Sequence, residues 1–137
     1  MNVSDVKRLQ KVQNRAARLV LGVKRRSPSA PLLKQLPSLP IKERIDFKLA
    51  LLVYKCMMNT APQYLSNLLT TPTATRYQLR SQNDKTVLQI PQAKTKAFER
   101  TFSYAGSVVW NTLPKQLRLC DSEEMFRRKL KTELFQL

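Results

Sequence analysis

Histidine is absent from this 137-residue chain. That excludes Ser-His and Cys-His nucleophilic catalysis and every zinc site that needs an imidazole. Glycine is almost absent too, with Gly22 and Gly106 alone. Phosphate loops of the P-loop and Rossmann types need clustered glycines for close backbone approach, so neither type is present. Cys56 and Cys120 form no CxxC pair and read as reduced core residues rather than a disulfide. No run of about 20 apolar residues exists, so no membrane span is expected. The opening MNVSDVKRLQ lacks the apolar core of a secretory signal. The expected location is intracellular, nuclear or cytoplasmic, and not secreted.

Acid is the other shortage. Asp and Glu total 9 against 25 Lys and Arg, a net charge of +16. The close acidic pairs, Glu43 with Asp46 and Glu123 with Glu124, sit beside cations and read as helix pairing or capping. A two-metal polymerase or nuclease site needs several converging carboxylates, and none can be argued here. No catalytic residue, metal or cofactor is expected, and an independent hydrolase or transferase is not. The excess of cations calls for an anionic partner. Nucleic acid is the leading candidate and an anionic membrane surface the second.

What the chain does contain is helical periodicity. Its length suits one domain, 1–137, with a core of its own. Residues 8–26 read RLQKVQNRAARLVLGVKRR. On a helix, Leu9, Val12, Ala16, Leu19, Val20 and Val23 fall within an arc of about 100°. Lys7, Arg8, Lys11, Arg15 and Arg18 fill a second arc of similar width, centred roughly 120° away. The apolar arc is expected to dock on the rest of the chain and the basic one to stay free for phosphate. Gly22 is expected to end the helix, ahead of Lys24, Arg25 and Arg26. The first 26 residues hold eight cations and one acid, Asp5; a merely solvated face mixes signs.

Four prolines in residues 27–40 read as a linker around one short helical turn at 32–36. Pro40 opens a second helix, IKERIDFKLALLVYKCMMN, with Ile41, Ile45, Leu49, Leu52, Val53 and Cys56 facing inward and Ala50, Leu51 and Met57 beside them. Residues 61–69 suit a short amphipathic helix. Residues 70–96 form a polar insertion, in which 86–90 read as a short strand and 77–80 as its partner around Asn83-Asp84. A third helix is expected at 97–112, with Trp110 and Phe98 in the core. A fourth begins at Asp121, with Glu124 in capping-box spacing and Glu123→Arg127 and Glu124→Arg128 pairs. A second, weaker cationic stretch places Arg76, Arg80, Lys85, Lys94, Lys96 and Arg100 around Tyr77 and Phe98, a mixture that suits single-stranded nucleic acid. The expected fold is mainly α: a compact helical domain of four to five helices with one short β-hairpin or extended insertion.

Several blocks occur in a specific order: LQKVQNRAARLVLG, PLLKQL, LPIKERIDFKLALLVYKC, APQYLSNLL and RTFSYAGSVVWNTLPKQLR, then a last amphipathic helix. Together they resemble the C-terminal region of reverse transcriptases from non-LTR retrotransposons, the Jockey-like LINE elements. The resemblance runs from about Leu9 to Phe135. It implies a parent RNA-directed DNA polymerase with endonuclease and polymerase domains ahead of this tail, neither of which is matched here. Where such tails often carry His and Trp before LPIKERI, this chain has Pro37 and Ser38.

Charge and resemblance jointly give the expected function: a non-catalytic nucleic-acid-binding fragment. Lys7, Arg8, Lys11, Arg15, Arg18, Lys24, Arg25 and Arg26 would contact the RNA or DNA phosphate backbone with little base selectivity. The missing polymerase domain is a further candidate partner, a membrane is not, and the oligomeric state is not legible. The alternatives are a translated remnant without a role, a domesticated module that binds a partner protein through its apolar helix face, and a basic amphipathic membrane binder, against which the proline-rich linker and the long central apolar helix argue.

Overall fold

The computed structural model describes residues 3–71 and 86–136. The architecture is mainly α. The helices are α1 (Val3–Val20), α2 (Ser29–Gln35), α3 (Ile41–Met57), α4 (Gln63–Ser66), α5 (Phe102–Thr112), α6 (Lys115–Arg118) and α7 (Glu123–Gln136), with a 3-10 turn at Phe98–Arg100. Four of these exceed ten residues, and they are the four main helices expected from periodicity. No described helix is long and apolar enough to cross a membrane. Contacts group the chain into two units, Met1–Phe47 with Lys131–Leu137, and Lys48–Leu130.

In the first unit, α1 ends in a Schellman motif. Gly22 takes a left-handed φ of +61°. Its N–H donates to the Leu19 carbonyl at 3.2 Å, and the Val23 N–H donates to Arg18 at 3.1 Å. These are the two bonds that close such a terminus, and a glycine at this place avoids the Cβ penalty. The reversal lays Val23, with Leu21 and Leu36, against a cluster of buried Ala17, Leu32 and Leu33. The helical turn expected near residues 32–36 is thus α2, and its leucines are core.

The expectation that α1 buries its apolar arc is overturned. Ala17 is the sole buried residue of α1. Leu9, Val12, Leu19 and Val20 are 46%, 62%, 85% and 69% exposed. The inward face is polar instead. Gln13 Nε2 donates to Ser38 Oγ at 3.0 Å and to the Leu39 carbonyl at 2.8 Å. Gln10 Oε1 accepts the N–H of Ile41 at 2.8 Å, satisfying a donor that the first turn of α3 leaves open. Residues 27–40 turn repeatedly at prolines and leave backbone groups unpaired by helix bonds. Amide side chains answer those groups and aliphatic ones cannot.

In the second unit the core is aromatic. Trp110 is 1% exposed, as expected of an anchor, and Phe126 and Val53 are fully buried. Tyr54 stacks on Phe126 with centroids 4.3 Å apart and donates its hydroxyl to the Cys120 carbonyl at 2.9 Å. Burial raises the phenol's pKa. Gly106 leaves room for α3: a Cβ there would stand 3.1 Å from Val53 Cγ2. Cys56 and Cys120 are buried free thiols, and burial pushes the Cys56 pKa up, away from reactivity. The left-handed Asn59, φ +55°, closes α3 as Gly22 closes α1.

Residues 86–90 form no strand. One antiparallel bridge pairs Thr70 with Gln89, while α5 takes three further backbone groups. Asn111 accepts the Leu88 N–H at 2.9 Å and donates to its carbonyl at 2.8 Å; Trp110 Nε1 donates to the Thr86 carbonyl. A side-chain amide thus meets both backbone groups of Leu88, as a neighbouring strand would. The proposed partner at 77–80 and the turn at Asn83-Asp84 lie outside the described residues. Phe98, expected in the core, is 37% exposed, because extended Thr101 separates its 3-10 turn from α5. The last helix begins at Glu123 rather than Asp121: the Ser122 carbonyl accepts its first bond, from the Phe126 N–H. Glu123 pairs with Arg127 as expected, at 3.7 Å, and also with Lys55 at 3.3 Å.

Candidate nucleic-acid interface

An α-helix turns about 100° per residue, and α1 uses its whole circumference. Gln10, Gln13, Asn14 and Ala17 face the first unit's interior. The basic arc and the apolar arc share the remainder, so α1 carries three stripes spaced about 120° apart. Lys7, Arg8, Lys11 and Arg15 are all exposed on the basic stripe. Among the described residues none of them makes an ion pair.

Arg18 behaves differently. It is half-buried, its Nε donates to the Ser27 carbonyl at 3.0 Å, and its Nη1 donates to the Asn14 carbonyl at 3.3 Å. The Ser27 N–H in turn donates to the Lys24 carbonyl. The guanidinium therefore clasps the 24–27 turn onto the end of α1. A guanidinium carries five N–H donors, so these two bonds leave three others. Lys24, Arg25 and Arg26 lie exposed on that clasped turn. The structure so brings Arg15, Arg18 and Arg25 around one cleft of about 610 Å³, floored by Leu19, Gly22 and Val23. Lys7, Arg8 and Lys11 continue along the helix, outside the cleft.

The second cationic stretch is only partly described. Lys94, Lys96 and Arg100 are exposed in the second unit, whereas Arg76, Tyr77, Arg80 and Lys85 lie outside the described residues. Among the described residues no three acidic or cysteine side chains gather to hold a metal.

Sequence reasoning missed the amide face of α1 and the clasp of Arg18. The first had a signal: Gln10, Gln13, Asn14 and Ala17 recur at helical spacing, uncharged, between two other stripes. The second had none, because the Ser27 carbonyl is chosen by the turn that Gly22 permits. No protein-family model matches this chain, and neither a curated protein nor a solved structure is detectably similar to it.

Proposed function

We propose that this chain is a non-catalytic nucleic-acid-binding module, the C-terminal region of a retrotransposon-encoded RNA-directed DNA polymerase. The observation that carries the binding is the row of exposed cations that make no ion pair among the described residues: Lys7, Arg8, Lys11 and Arg15 on α1, then Lys24, Arg25 and Arg26 on the clasped turn. Arg18 orders that turn and offers its remaining donors. Unpaired surface cations on a rigid helix match phosphate repeats and release counterions on binding. The origin rests on the order of sequence blocks alone.

The test compares two variants of equal charge in binding to single-stranded RNA. One changes Lys7, Arg8, Lys11 and Arg15 to Gln. The other changes four exposed cations elsewhere, Lys34, Arg44, Lys48 and Lys129. The first should lose about 100-fold or more in affinity at moderate salt and the second less than tenfold. Equal losses would mean that net charge, not this strip, does the binding.

The exposed stripe of Leu9, Val12, Leu19 and Val20 favours a second reading, a protein-interaction module. Concentration-dependent self-association in sedimentation, without RNA binding, would select it.

A further inference from the structure

The geometry points to a nucleotide subsite at the C-terminal end of α1, where Arg15, Arg18 and Arg25 hold phosphate and Leu19 with Val23 receives an unpaired base. This rests on the phosphate-binding reading above and adds a ligand class to it: single strands whose bases are free to turn inward.

Three observations meet here. First, the cleft is a shallow depression of about 610 Å³, broadly open to solvent, which suits one face of a flat base rather than an enclosed ligand. Second, its lining is of two kinds, kept apart by the helix. Arg15 and Arg18 lie on the basic arc of α1 and Leu19 on the apolar arc, while the 24–27 turn adds Arg25. A nucleotide has the same division, an anionic phosphate and a flat, weakly polar base. Third, the cleft is preorganised. The Schellman turn at Gly22 fixes Val23, and the bonds from Arg18 to Ser27 and Asn14 hold both the guanidinium and the turn bearing Arg25. Beyond its chain neighbours, nothing stands within 4 Å of the point where a Cβ on Gly22 would be, so that side of the turn is open to a ring. Leu19, 85% exposed, gives up water on contact with a base, and guanidinium planes also stack on bases.

Duplex would meet only the cations, because its bases are already stacked. A single strand gains the base contact as well. The cleft therefore turns a general phosphate strip into one that prefers unpaired strands.

The whole chain is titrated with an oligothymidylate of about 12 nucleotides and with an abasic oligomer of equal phosphate number. The same is done for Leu19→Ser, a change at an exposed side chain that leaves the core untouched, and for Lys7→Gln/Lys11→Gln. Wild type should bind the thymidylate about fivefold or more tighter than the abasic strand. Leu19→Ser should abolish that preference and keep the abasic affinity. Lys7→Gln/Lys11→Gln should weaken both strands alike and keep the preference. Equal wild-type affinity for the two strands would overturn the subsite while leaving the phosphate strip standing. No salt-dependent binding of either strand would overturn the strip as well. Binding to phosphatidylserine vesicles that Leu19→Ser abolishes, with oligonucleotide binding unchanged, would assign the cleft to a lipid surface and overturn the proposal.

Discussion

Asn111 shows how a single side chain can decide a local fold. Its amide holds both backbone groups of buried Leu88. Truncation to Ala leaves a buried N–H and carbonyl without partners, a loss of about 1–3 kcal/mol. Chemical denaturation of Asn111→Ala should read that loss in its midpoint. Asp46 is the residue where pH enters. Burial raises its carboxyl pKa above the ordinary 3.8, Lys42 partly opposing and Glu43 adding. The folded state thus holds the proton more tightly than the unfolded chain does. Its stabilising contribution is present in acid and is lost as pH rises through the raised value. Asp46→Asn should therefore raise the melting temperature at neutral pH, with the gain vanishing below the ordinary carboxylate range. A gain that persists at pH 2 would contradict this assignment.

Periodicity places an element well but identifies its inward side less well, and α1 is the clearest case. The helix, its end at Gly22 and its basic arc are all legible in RLQKVQNRAARLVLGVKRR. The inward face is not, because it is chosen by unpaired backbone groups in residues 38–41, which a hydrophobic pattern does not record. The same limit explains residues 86–90, where alternation marks an extended segment but not that α5 side chains bond the backbone of Thr86 and Leu88. In α3 and α5 the pattern succeeds in part: Val53, Cys56 and Trp110 are buried as expected, while Ile41, Ile45, Leu49 and Leu52 are half-buried and Tyr54, Gly106 and Ser107 are buried beside them. The α1 assignment has a direct check. Val12→Gln, on the exposed arc, should change unfolding free energy by less than about 0.5 kcal/mol. Ala17→Leu, which inserts bulk between α1 and Leu32 with Leu33, should cost about 1–3 kcal/mol despite adding apolar area. The reverse order would mean that the apolar arc is buried after all.

For the molecule as a whole, a net charge of +16 is a standing self-repulsion that anions relieve. The candidate interface is legible residue by residue in the sequence, as a cationic run around one acid, while the cleft among its arginines needed the Gly22 reversal to form. The central claim is that the strip from Lys7 to Arg26 is a phosphate-binding surface. The most direct test is the salt dependence of binding to single-stranded RNA, for the wild-type chain and for the variant with Lys7, Arg8, Lys11 and Arg15 changed to Gln. Neutralising seven or eight phosphates predicts a slope of log affinity against log salt near −5, cut by about three units in the variant. A shallow wild-type slope, or one that the variant leaves unchanged, would contradict the account.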